Sequence, residues 1–255
     1  MRPLNKIWQV SLFTFKDYLY QKFFYIILLL SGAFFCFIYY INIFNLSLPE
    51  KILKDIGFNG MHLLCYALTL LLGITNLARE INSRHIYVIL SKPISKEEYL
   101  WGRFLGAVKM ILLTIILLTM ILTLMVYFRT GEFTLNIIWG GLEIFLEQAI
   151  ILAHLYFFSL FASPPLNLIL GISIIILGNL SFNYIKFILN SSFLQGFAFF
   201  LKVILPDLHY FNIQSAIINN YFISPSYLLI TTIYSFCYTL LIIKLTSLFL
   251  AHKNL

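Results

Sequence analysis

Charge is scarce in this sequence. Only 11% of its 255 residues are Asp, Glu, Lys or Arg, against roughly 25% in soluble globular chains, which excludes water as the main solvent of the fold. Cysteine is sparse as well. Cys36, Cys65 and Cys237 lie inside apolar runs and share no metal-ligand spacing, so neither a disulfide framework nor a zinc site is expected. There is no G-x-x-x-x-G-K-[ST] sequence, and without it a chain lacks the phosphate cradle, the lysine and the magnesium-holding hydroxyl of a P-loop. H-E-x-x-H and G-x-S-x-G are absent too, and His62, His85, His154, His209 and His252 are scattered among different segments. The chain itself is therefore expected to bind no cofactor or metal. Nucleic acid is not an expected partner either, because the net charge of +7 comes with no RNA- or DNA-binding motif and is accounted for by topology and anionic headgroups.

Apolar residues are what the chain has in excess, at 61%, and they come in long runs. Crossing ~30 Å of hydrocarbon takes about 20 mostly apolar residues. The spacing predicts an all-α membrane protein with six transmembrane helices in a single domain, 1–255. The runs are Phe24 to Phe44, Gly57 to Ala78, Phe104 to Phe128, Ile138 to Ala162, Leu166 to Phe182 and Tyr227 to Leu250. The first is too long for a signal-peptide core and carries no small-residue cleavage site, so it is read as retained. Ser163-Pro164-Pro165 stops the fourth. The fifth barely reaches the required length. Residues 183–226 are apolar but broken by Lys186, Gly196, Lys202, Pro206 and Asp207, which predicts short re-entrant or interfacial helices on the non-cytoplasmic side.

Residues 1–22 are amphipathic. Leu4, Ile7, Trp8, Leu12, Phe15 and Leu19 share one side of a helix, and Lys6, Gln9, Lys16, Asp17 and Tyr20 the other. This fits a helix lying in the headgroup layer, the alternative being a first helix packed on the bundle. Orientation follows from the basic residues. With a cytoplasmic N-terminus and six crossings, twelve fall on the cytoplasmic side (Arg2, Lys6, Lys16, Lys22, Arg79, Arg84, Lys92, Lys96, Arg103, Lys109, Lys244, Lys253) and five outside (Lys51, Lys54, Arg129, Lys186, Lys202). Both termini are thus expected in the cytoplasm of a bacterial-type inner membrane.

The longest charged stretch, residues 79–103, is a cytoplasmic connection. Pro93 ends the helix before it, and Ser95 followed by Glu97 and Glu98 caps the next, giving a helix–turn–helix elbow at the membrane surface. The string from Arg79-Glu80-Ile81 through Ser83-Arg84-His85-Ile86-Tyr87-Val88-Ile89-Leu90-Ser91-Lys92-Pro93-Ile94-Ser95-Lys96-Glu97-Glu98-Tyr99 to Leu100-Trp101-Gly102-Arg103-Phe104-Leu105-Gly106 resembles the loop between the second and third spans of type-two ABC exporter permeases. That group includes the permease of the nitrous-oxide-reductase maturation exporter. Leu205-Pro206-Asp207-Leu208-His209-Tyr210-Phe211-Asn212-Ile213 is similar to the family's L-P-N-L-x-x-F-D-I element, departing at Asp207 and Asn212. The resemblance implies a homo- or heterodimeric membrane unit joined to two cytoplasmic ABC ATPase subunits, which bind ATP and Mg. It assigns Arg84, His85, Ser91, Lys92, Pro93, Glu97 and Glu98 to the ATPase-coupling surface. A periplasmic accessory protein is a further possible partner, facing residues 183–226.

Three residues in the fourth run are candidates for a substrate pathway: Glu143, Glu147 four residues on, and His154. Acids inside a bilayer are costly, and usually face a bundle interior or a wet cavity. The structural alternative places Glu143 near the outer headgroups beside Trp139 and lets Glu147 bond a neighbouring helix. Gly102 and Gly106 form a G-x-x-x-G spacing that lets two helices approach closely, within one subunit or across a dimer seam. Two other classes stay open. One is a non-transporting membrane anchor; the other is an intramembrane enzyme built on Glu143, Glu147 and His154.

Overall fold

The computed structural model describes residues 3–44, 49–74, 94–131, 133–180 and 205–252. These form eight α-helices and one 3-10 turn: α1 (Pro3–Tyr20), α2 (Lys22–Phe44), α3 (Pro49–Gly73), α4 (Lys96–Thr130), α5 (Leu135–Phe158), α6 (Pro164–Asn179), the turn Leu208–Phe211, α7 (Gln214–Ile218) and α8 (Pro225–His252). No strand occurs among the described residues. Five helices, α2, α3, α4, α5 and α8, are long and apolar enough to cross a membrane. That marks a multi-pass membrane protein. At 16 residues, or about 24 Å, α6 falls short of the ~30 Å of hydrocarbon.

Two helices begin earlier than hydropathy predicts. α3 starts at Pro49 and not near Gly57, because the charges that interrupt its first two turns are satisfied there. Lys54 is fully buried; its ammonium donates to Glu50 one turn back and to Asn220 Oδ1 (2.9 Å). α4 starts at Lys96, so the second half of the elbow and the third span are one helix of 35 residues, about 52 Å long. Its start is well defined. Ser95 Oγ accepts from the Glu98 amide (3.1 Å) while the Ser95 amide donates to Glu98 Oε2 (2.9 Å), a reciprocal cap that satisfies two otherwise unpaired donors. Gly131, with φ of 72°, closes the other end.

α5 sits at the centre, packed against α3, α4, α6 and α8. Glycines set the spacing. A Cβ on Gly141 would meet Thr119 of α4, and one on Gly140 would meet Phe58 of α3 and Ile217 of α7.

α1 docks on α4 with only part of the apolar face the sequence suggests. Ser11, Thr14 and Tyr18 are fully buried and Val10, Phe15 and Leu19 pack half-buried on the core, while Trp8, Leu12, Phe13 and Tyr20 stay exposed. The reason lies on α4. Gly102 and Gly106 leave a groove that only small side chains enter: their Cβ positions lie 2.5 Å from Val10 and Thr14, and 3.1 and 2.9 Å from the carbonyls of Ile7 and Ser11. The G-x-x-x-G seam is therefore filled by this chain's own first helix. Arg103 adds to the junction, with Asp17 Oδ2 at 3.8 Å and its Nε donating to Tyr99 Oη (3.0 Å).

Candidate functional site

Glu147 lies halfway along the 24-residue α5, about 18 Å from its start, and is 1% exposed. Burial of a carboxylate demands partners, and they come from other helices. Tyr66 of α3 donates its hydroxyl to Oε1 (2.6 Å). Asn179, the last residue of α6, donates Nδ2 to the same oxygen (3.3 Å), to Tyr66 Oη (3.1 Å) and to the Ile175 carbonyl (3.0 Å). The short α6 thus ends where it can serve Glu147. Oε2 accepts no hydrogen bond among the described residues, and His62 Nδ1 stands 3.5 Å from it.

A cleft of about 440 Å³ opens between α3 and α6 beside this cluster. Phe58, His62 and Tyr66 form one wall, Ile175 and Asn179 the other, and Asn212 and Gln214 lie at its rim. Phe58, His62 and Tyr66 recur every four residues, so α3 presents them as one stripe.

Glu143 and His154 belong to a different contact, that between α5 and α8. Glu143 is fully buried, and Thr231 Oγ1 donates to its Oε1 (2.7 Å). Below it Ser235 donates to the Leu146 carbonyl (2.9 Å). His154 bonds the carbonyl of Ile150 on its own helix (2.9 Å) and stacks on Tyr238. Its rise of about 10 Å from Glu147 keeps the two from meeting. The three α5 residues therefore do not form one catalytic cluster. Thr231→Val should lower stability by ~1–3 kcal/mol, since it strips a buried carboxylate oxygen of its donor. A detergent-unfolding titration checks this, and Thr231→Val with Glu143→Leu should recover most of the loss.

Of the coupling-surface residues, Arg84, His85, Ser91, Lys92 and Pro93 lie outside the described residues. Glu97 and Glu98 are described and do different work. Glu98 caps α4, whereas Glu97 Oε1 accepts from Lys244 Nζ of α8 (2.7 Å), and Lys96 Nζ reaches the Leu250 carbonyl (3.5 Å).

Several residues of the site carry no local sequence signal. Tyr66 and Asn179 are 81 and 32 positions from Glu147. Gln148 is fully buried with neither amide atom hydrogen-bonded among the described residues; only its position inside an apolar run hints at it. Among the described residues no group of His, Cys, Asp or Glu is placed to hold a metal. No family model matches the chain, and no curated protein matches it.

Proposed function

We propose that this chain is the permease subunit of an ATP-binding-cassette exporter, with a substrate pathway passing the buried acids of α5. The observation that carries the reading is the mechanical continuity of α4. At about 52 Å it exceeds the hydrocarbon thickness by some 20 Å, so the elbow residues Lys96 to Arg103 and the transmembrane part of the helix move as one rod. At the elbow end Glu97 ties α4 to α8 through Lys244. α8 in turn holds Glu143 through Thr231. A push on the elbow by an ATPase partner would then reach the acid-bearing helix through two stiff elements, the kind of contiguous route coupling requires. The similarity of residues 79–106 to the permease loop gives the partner its class.

The remaining parts of the proposal follow from that reading. The sixth crossing is the run that begins at Leu166 in α6, and the segment before α8 is re-entrant and closes on it: Leu208 packs on Gly178 and the Asp207 amide donates to Tyr234 Oη (3.1 Å). Irregular backbone at membrane depth is tolerated where it is buried in protein or lines a cavity. The termini face the cytoplasm of the inner membrane, α1 lies at its surface, and two permease subunits join two ATPases.

Affinity purification of the tagged chain, with identification of co-purifying proteins and an ATP-hydrolysis assay, tests the proposal. A stoichiometric Walker-containing ATPase is expected. Charge reversal at Arg84 and Glu97 should reduce its association at least fivefold. Glu97→Lys combined with Lys244→Glu restores the surface pair, worth only ~0.2–1 kcal/mol, and should leave ATPase association weak. Absence of any ATPase would overturn the reading. An intramembrane acid–base enzyme is the second reading, favoured by the 2.6 Å Tyr66–Glu147 bond with His62 at 3.5 Å, and it predicts turnover by the isolated chain.

A further inference from the structure

The cleft between α3 and α6 has a charge pattern that selects its ligand. Behind it lies Glu147, with one carboxylate oxygen that accepts no hydrogen bond among the described residues. At the opposite end Asp55 binds two of the cleft's amides, accepting from Asn59 Nδ2 (3.1 Å) and from Gln214. The lysines nearest in sequence are committed elsewhere: Lys51 to Asn219, and Lys54 to Glu50 and Asn220. Neither acid lines the cleft, but each stands directly behind lining side chains, Asp55 behind Asn59 and Gln214 and Glu147 behind Tyr66 and Asn179, and among the described residues neither pairs with a lysine or arginine.

Between the acids runs an aromatic wall. The ring of His62 lies 5.4 Å from that of Phe58 and 5.3 Å from that of Tyr66, centroid to centroid. Such a wall does not replace the hydration shell of a small inorganic ion, and no metal-ligating group of side chains stands there among the described residues. It does suit an organic cation, whose diffuse charge is attracted to ring faces and whose hydration is weak. The volume of about 440 Å³ falls in the range of small-molecule sites, ~300–1,000 Å³.

The geometry points to a binding site for an organic ammonium compound in this cleft, the half-buried ring of Tyr66 holding its charged group, with Glu147 and Asp55 supplying the field. The site deepens the transport reading and rests on it for its purpose, the ammonium compound being the cargo. Glu147 acts from behind His62 and Tyr66, so its contribution is electrostatic attraction across one side chain and not direct coordination. The amides of Asn59, Asn179 and Gln214 fix orientation.

The test uses the full chain in lipid nanodiscs and radiolabelled benzyltrimethylammonium in equilibrium dialysis, with empty nanodiscs as the blank. Saturable binding is expected. The neutral carbon isostere neopentylbenzene and the polyol sorbitol should displace the probe at least tenfold less well than unlabelled probe. Glu147→Gln, which keeps the shape and the Tyr66 partner, should weaken binding at least tenfold, and Asp55→Asn about threefold. Ile176→Trp, which fills the cleft, should abolish it. If Glu147→Gln does not purify, Asp55→Asn and the neutral competitors decide. No saturable binding, equal displacement by either neutral compound, or an unchanged affinity in Glu147→Gln or Asp55→Asn would each overturn the site. Since no ATPase is present in the assay, failure of binding leaves an ATP-driven permease for another cargo intact, while absence of an ATPase partner leaves the binding result standing.

Discussion

Replacing Gly106 by valine is expected to detach α1 from the bundle and cost ~3 kcal/mol or more. Overpacking of a filled site typically costs 1–3 kcal/mol because neighbouring side chains give way. Here the neighbours cannot. The atoms that a Cβ at Gly106 would strike are Thr14 Cβ at 2.5 Å and the backbone oxygen of Ser11 at 2.9 Å, so no rotamer change relieves the contact and the helix itself must move. Gly140 supplies the comparison. Its nearest atoms are Ile217 Cδ1 and Phe58 Cε2, the far ends of side chains, so Gly140→Ala should cost under half as much as Gly106→Ala. Two measurements check the pair. Detergent-unfolding titrations give the stability differences, and limited trypsin digestion reports detachment, because Lys16 and Lys22 flank the α1–α2 junction. Cleavage there should accelerate at least tenfold in Gly106→Val and stay unchanged in Gly140→Ala. An undetached α1 in Gly106→Val would mean that the seam is not what holds the helix.

This seam shows what the sequence states and what it leaves out. The four-residue spacing of Gly102 and Gly106 is visible at once, but its partner is not, because Ser11 and Thr14 look like polar interruptions in an amphipathic helix. Trp8 and Leu12 are the more conspicuous feature of α1. They stay exposed because backbones approach most closely where side chains are smallest, while Phe15 packs half-buried on the core. Span positions were legible for the same reason that makes hydropathy work: backbone groups in hydrocarbon must be satisfied within the helix. Helix ends were less so. At α3 the acid and base that interrupt the apolar run, Glu50 and Lys54, bond each other across one turn, and a hydropathy window cannot see that cancellation. The cap at Ser95 and the acids after it were readable because a capping box is local in sequence.

Of the functional site, the acids were legible and their surroundings were not. A glutamate in an apolar run announces itself by its cost; which helix meets it depends on packing. Glu143 and Glu147, one turn apart, end up serving different neighbours, α8 for the first and α3 with α6 for the second. Tyr66 and Asn179 carry no motif, since a tyrosine at a span and an asparagine at a helix end are common everywhere. A search for the polar complement each buried acid requires would have narrowed the choice to the few polar residues of the other spans.

That complement can be made to separate structure from transport. Tyr66→Phe is expected to lower stability by ~2–3 kcal/mol, because it removes the short, charge-assisted bond to Glu147 Oε1 and leaves only the longer one from Asn179. Adding Glu147→Leu to Tyr66→Phe removes the charge that needed the donor, and replacing both members of a buried polar pair by apolar groups is often close to neutral. The double variant should therefore unfold within ~1 kcal/mol of the parent, with a coupling energy of ~1.5–3 kcal/mol in the cycle. Transport should not recover with it. If Glu147 is part of the pathway, the stable double variant still lacks the carboxylate, and export in reconstituted vesicles stays at background. Recovery of stability and export together would reduce Glu147 to a packing group and remove the pathway from α5.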